Sequence, residues 1–352
     1  MEMLIEQLGD AGALALAGMV VGLLFGITAQ KSRFCLRAAT VEVSEGKPGP
    51  RLAVWLIAFT SALTLVQGFV SFEVLDLSET RAIASTGSIS GALIGGVMFG
   101  IGMVLSRGCA SRLLVLASCG NLRALVTGLI LTLLAQAAYT GVLSPARENL
   151  ADIWTVSGGA TRDLSSILGL TSGTYAVVAA MGLLLAIAFA AHQSLTLTRI
   201  TAAAGVGVAV ALGWLVTFAI AQASFEVVPV SSITFTGPAT DTLMALVAER
   251  NVVLSFGIGL VPGVAIGAAT SAVASGEWRI ERFGADTPME RYLIGAVLMG
   301  FGAMLAGGCA VGAGLSGGSA LSLTAWLAVF SMWVGAIATH WLAVRRPFVQ
   351  RT

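Results

Sequence analysis

The chain has 352 residues, of which 57% are apolar and only 11% are Asp, Glu, Lys or Arg, and its net charge is +1. Soluble domains carry roughly 25% charged residues, so this composition excludes a water-soluble enzyme and a disordered chain, and the near-zero charge excludes a nucleic-acid binder. Four cysteines are too few for a disulfide scaffold, and a mean hydropathy of +0.91 leaves a polytopic membrane protein.

A helix needs about 20 apolar residues to cross the hydrocarbon of a bilayer. Nine stretches free of acidic and basic residues come near that length: 11–30, 52–70, 91–106, 124–142, 174–191, 200–222, 252–272, 292–306 and 321–341. Backbone groups in lipid must be satisfied internally, so nine helices are predicted, forming one transmembrane domain over 1–352. The first is predicted to be retained as a span, because Glu2, Glu6 and Asp10 precede it where a signal peptide is basic. Fifteen of the nineteen basic residues fall in the loops after the odd-numbered spans, and the other side holds only Arg81, Arg147, Arg162 and Arg250 with twelve of the eighteen acidic residues. The positive-inside rule then puts the N-terminus outside and the C-terminus in the cytoplasm.

The third and eighth spans repeat one another. Residues 93–110 (LIGGVMFGIGMVLSRGCA) and 293–310 (LIGAVLMGFGAMLAGGCA) share 10 of 18 positions at an offset of 200, including Gly108/Gly308 and Cys109/Cys309. Five crossings separate them, so the copies enter the membrane from opposite sides as an inverted-topology repeat, with half-repeats at about 11–143 and 174–341. Both spans are short and end in a Gly-Cys turn, which predicts re-entrant segments at 107–120 and 307–320. The stripes Gly18, Gly22, Gly26 and Gly259, Gly263, Gly267 are read as helix-packing surfaces. A shorter echo, QGFVSFE at 67–73 and QASFE at 222–226, does not fit the inverted relation.

No CxxC and no nearby His accompanies any cysteine, so neither zinc nor dithiol exchange is indicated. Cys119 is read as a small apolar filler, its repeat partner being Ser319. Cys309, Cys109 and Cys35 follow one another from outside to inside, a file of weak S–H donors suited to reduced sulfur. Flanking arginines favour an anion over a soft metal cation. Arg107 and Arg112 bracket Cys109 and are assigned to the substrate, whereas Arg33 and Arg37 are open between a substrate role and a topological one. Gln136 and Gln222 are read as interhelical contacts.

Three motifs together resemble the YeeE/YedE sulfur-transport family: Ser-Arg-Phe-Cys-Leu-Arg at 32–37, Arg-Gly-Cys-Ala-Ser-Arg at 107–112 and the Gly-rich run at 307–322. Arg107, where the family often has Gly, and Ala313, where it often has His, depart from the pattern. The resemblance implies an hourglass-shaped bacterial inner-membrane protein that takes up thiosulfate past Cys309, Cys109 and Cys35 by thiol hydrogen bonds. Gly108, Gly308, Arg107 and Arg112 complete the expected substrate-binding set. It also implies a cytoplasmic sulfur carrier of the TusA type as a partner of some members, and a related branch handles selenium compounds. A membrane thiol enzyme that passes sulfane sulfur covalently is the competing reading. The transport reading needs no cofactor and no metal, and it assigns no catalytic residue.

Overall fold

The computed structural model describes residues 2–247, 253–282 and 289–345. Residue 252 of the seventh predicted span and the loop charges Glu249, Arg250, Asp286, Arg346 and Arg351 lie outside the described residues. Most of the described residues are helical, with almost no sheet. In chain order the helices are α1 (Glu2–Ser32), α2 (Leu36–Ser44), α3 (Pro50–Ser71), α4 (Arg81–Ala84), α5 (Ile89–Leu105), α6 (Ala110–Ser118), α7 (Leu122–Tyr139) and α8 (Ser144–Ala151), then α9 (Leu164–Leu168), α10 (Ser172–His192), α11 (Leu197–Ala223), α12 (Thr236–Val247), α13 (Phe256–Ala274), α14 (Met289–Leu305) and α15 (Leu323–Arg345). A π-helical turn at Gly312–Gly317 precedes α15, and a two-residue antiparallel clasp pairs β1 (Gly87–Ser88) with β2 (Thr155–Val156).

Each predicted span coincides with a helix: α1, α3, α5, α7, α10, α11, α13, α14 and α15. Among the described residues, eight helical stretches are long and apolar enough to cross a membrane, two of them being α1 with α2 and α5 with α6 taken together. The predicted span 292–306 is not among the eight, because α14 has 17 residues, as does α5. Seventeen residues reach about 26 Å, a little short of the usual hydrocarbon thickness. The two thinnest helices are thus the two copies of the repeat.

Glycine determines how these helices cross. A Cβ at Gly95 would lie 2.6 Å from the Gly302 carbonyl oxygen, and one at Gly102 would lie 2.6 Å from that of Gly295. Residue 95 meets 302 while 102 meets 295, so α5 and α14 cross antiparallel, and each copy presents the same face to the other. In the same way Gly100 packs on the Met332 carbonyl of α15 and Gly300 on the Leu131 carbonyl of α7. The glycine stripes of α1 and α13 behave differently. Gly18, Gly22 and Gly26 approach the carbonyls of Phe256, Leu260 and Val264 in order, so these helices run parallel. That relation is required of the first and seventh of nine spans, and the stripes pack helices as their spacing predicts.

The side predicted to face outward is tied together by one buried charge. Arg162 donates through Nη1 to the Ser85 carbonyl and through Nη2 to Thr324 Oγ1 at 2.7 Å, joining its own loop to the end of α4 and the start of α15. Burial pushes its guanidinium below the ordinary arginine value. Arg162 therefore serves the fold of the loops.

Candidate functional site

One local design occurs three times. Each of α1, α5 and α14 ends in a residue with left-handed backbone: Arg33 (φ 56°), Arg107 (φ 55°) and Gly307 (φ 76°). The next N–H reaches back five residues: Phe34 to Ala29, Gly108 to Met103 and Gly308 to Ala303, at 3.2, 3.1 and 2.9 Å. This is the Schellman way of closing a helix. A cysteine follows immediately, and its carbonyl accepts the first bond of a new helical segment: Ala39 N–H to Cys35, Leu113 N–H to Cys109 and Ala313 N–H to Cys309. Cys35 and Cys109 thereby stand at the N-caps of α2 and α6, and Cys309 precedes the π-helical turn by three residues.

The short helices turn back against the spans that follow them. Leu113 of α6 stands level with Gly128, in the middle of α7, and Gly314 stands level with Val329 of α15. Gly108 sits against Leu113 and Arg112, and a Cβ at Gly308 would lie 2.9 Å from the Ala313 nitrogen. Both glycines let the chain fold back closely enough to begin the short segment.

The three thiols are buried: Cys35 is 9% exposed, Cys109 0% and Cys309 1%. The Cys35 and Cys109 thiols lie within electrostatic reach of one another, and Cys109 Sγ lies 3.4 Å from Ser111 Oγ. Cys309 has separate surroundings, its Sγ accepting from Gly312 N–H at 3.4 Å. The fold thus brings two of the predicted thiols together and holds the third in the other copy of the motif.

The arginines divide into two groups. Arg112 faces a polar cavity of about 410 Å³ with Gln30, Arg33, Cys119 and Glu277. There Arg112 Nη1 donates to Gln30 Oε1 at 3.4 Å, Gln30 Nε2 donates to Glu277 at 3.0 Å, and Arg33 pairs with Glu277 at 3.1 Å. Glu277 and Gln30 are site residues the sequence reading missed. They lie 247 positions apart, and no motif joins them. Cys119, read as an apolar filler, lines this polar cavity. Arg37 and Arg107 form the second group with Arg291, each within electrostatic reach of the others. Ser106 Oγ, beside Arg107, donates to the Tyr292 carbonyl beside Arg291 at 3.3 Å. None of the three has an acidic partner among the described residues, and the Nε atoms of Arg37 and Arg291 are buried without a hydrogen bond.

Sequence reasoning also missed the stretch before α12. Residues 228–235 belong to no helix or strand, yet Ser232, Ile233 and Phe235 are buried. Ser232 Oγ donates to the Val210 carbonyl of α11, and Ser316 Oγ of the π-helical turn donates to the Ile233 carbonyl, both at 2.6 Å. Non-helical backbone at this depth is tolerated only where protein surrounds it. The two echoed glutamines have unrelated settings: Gln67 is buried and donates to the Ser319 carbonyl at 2.7 Å, whereas Gln222 is exposed.

A polytopic helical bundle with antiparallel glycine-rich helices, each ending in a buried Gly-Cys turn, is the class that this fold and site define. The chain belongs to the sulphur transport family, whose model matches residues 31–338. It is similar to the thiosulfate transporter TsuA of Escherichia coli strain K12, with 25% identity over 95% of this chain and 96% of that protein. It is also similar to the thiosulfate transporter TsuA of Spirochaeta thermophila, with 28% identity over 94% of this chain and 99% of that protein.

Proposed function

We propose that this protein carries thiosulfate inward across a bacterial inner membrane, with its N-terminus periplasmic and its C-terminus cytoplasmic. The observation that carries the reading is the buried Cys35–Cys109 pair, set at the starts of two short helices beside arginines that have no acidic partner among the described residues. Helix N-termini and unpaired guanidinium groups both favour an anion, and a thiol can donate to sulfur without binding it tightly. The names of the two relatives support thiosulfate as that anion. Cys309 is the outer contact, and Cys109 and Cys35 the inner ones, within half-repeats 11–143 and 174–341. Gly108 and Gly308 admit the close turns, Arg112 faces the inner cavity, and Arg107 joins Arg37 and Arg291 where the anion leaves. A TusA-like carrier is the partner that would consume it. The test is growth of a sulfur-auxotrophic host on thiosulfate as sole sulfur source: rescue by the intact gene is expected, and failure to rescue despite membrane expression contradicts the proposal.

Arg107 offers a sharper check. Its left-handed backbone suits glycine, and a non-glycine residue there costs roughly 1–2 kcal/mol. Arginine at this position is explained if its charge serves the anion. Arg107→Gly is therefore expected to raise thermal stability by roughly 1 kcal/mol while thiosulfate uptake falls several-fold. Unchanged uptake would remove Arg107 from the site.

A further inference from the structure

The offset of 200 that relates Cys109 to Cys309 also relates Cys35 to Phe235. Phe235 opens α12 as Cys35 opens α2: Ala239 N–H donates to the Phe235 carbonyl at 2.9 Å, as Ala39 N–H does to Cys35 at 3.3 Å. Three of the four short segments therefore begin at a thiol and the fourth begins at a phenyl ring. That ring is 2% exposed and packs on Phe25, itself 0% exposed, with centroids 5.2 Å apart at 49°.

The neighbours of Phe235 connect the two thiol settings. On one side Thr234 lies against Gly312, whose N–H contacts Cys309 Sγ, and a Cβ at Gly312 would lie 2.3 Å from Thr234 Oγ1. On the other side Phe235 shares a cavity of about 190 Å³ with Ala110 and Leu113, which follow Cys109. Gly128 and Ala239 also line this almost wholly apolar cavity, which opens at the bundle surface beside the exposed Leu125 and Leu129. An apolar constriction blocks hydrated ions by excluding water, and it opens when a side chain moves. A rotamer change needs space, and the cavity beside the ring supplies it.

We propose that Phe235, backed by Phe25, is a movable apolar barrier between the outer thiol Cys309 and the inner pair Cys35–Cys109, and that its ring withdraws into the Gly128-lined cavity when an anion passes. The barrier rests on the thiosulfate reading for its cargo. It assigns selectivity to a residue in the position where the motif otherwise carries a thiol, and it explains why all three thiols are buried in the resting protein.

The full-length protein in liposomes tests it with labelled thiosulfate and labelled sulfate. Phe235→Ala is expected to admit sulfate at about ten times the wild-type rate or more. Gly128→Leu fills the retreat and is expected to slow thiosulfate several-fold without admitting sulfate. The site can take a side chain, since a Cβ there meets only Leu113 Cβ at 4.0 Å. Size-exclusion profiles and helical circular dichroism matching wild type show that each variant is folded. If Phe235→Ala misfolds, Phe25→Ala reads the same barrier, with sulfate leak expected. Wild-type rates and selectivity in folded Phe235→Ala and Gly128→Leu overturn the barrier. A wild-type protein that carries no thiosulfate overturns the cargo instead, and the sulfate leak through Phe235→Ala still reads the barrier.

Discussion

Cys109→Ala is expected to reduce thiosulfate uptake to background while leaving the protein folded. Cys109 is wholly buried, touches Ser111, lies within electrostatic reach of Cys35, and starts α6. Alanine keeps the backbone and removes only one sulfur, so the folding cost is a small cavity, about 1 kcal/mol. The transport cost is much larger, because the inner pair loses the member nearer the Gly-Cys turn and an anion there loses a donor in a dry setting. Leaving a buried charged acceptor unpaired costs on the order of 1–3 kcal/mol or more, which is about fivefold to 150-fold or more in rate. Mass spectrometry of the wild-type protein separates hydrogen-bond relay from covalent sulfur transfer. Relay predicts that wild-type protein exposed to thiosulfate shows no mass increase of one sulfur on any cysteine peptide. A persulfide on Cys35 or Cys109 would favour the covalent reading.

Much of this site was legible in the sequence, and for a physical reason. An apolar solvent makes charge placement and glycine spacing informative, so the nine spans, the glycine seams and the Gly-Cys copies could be read from residues alone. The adjacency of Cys35 and Cys109 followed from neither spacing nor charge. It depends on α1 and α5 ending at the same depth, which is set by tertiary packing. The segment 228–235 was hidden because Pro229, Ser231, Ser232 and Thr234 give it the composition of a loop. Its polar groups are satisfied by α11 and by the π-helical turn, partners distant in sequence. Phe235 was invisible as a counterpart of Cys35 because the repeat preserves backbone role there and not residue type. The described part of α14 has 17 residues, and the predicted span 292–306 is not among the helices long enough to span by length alone.

Gly302→Leu is expected to destabilise the protein more than any substitution at the thiols. A Cβ at 302 would lie 2.7 Å from the Gly95 carbonyl oxygen and 2.8 Å from the Phe99 nitrogen, both of them backbone atoms that cannot turn aside. Overpacking of this kind costs about 3 kcal/mol or more, a large part of the roughly 5–15 kcal/mol that holds a typical protein folded. The antiparallel α5–α14 crossing would have to separate, and both Gly-Cys turns would move with it. Loss of a monodisperse peak in detergent and a fall in melting temperature of several degrees are the expected readings. Gly128→Ala is the matched control: its site is open, and replacing a mid-helix glycine with alanine is expected to be neutral or stabilising by up to about 1 kcal/mol. Equal behaviour of the two variants would mean that the glycine-mediated crossing does not hold the centre together.

The measurement closest to the central claim is uptake of labelled thiosulfate by liposomes containing only the purified full-length protein, compared with liposomes containing Cys109→Ala at equal density. Saturable uptake by wild type and background uptake by the variant are predicted. Uptake by Cys109→Ala at the wild-type rate, or none by folded wild-type protein, would contradict transport through the buried thiols.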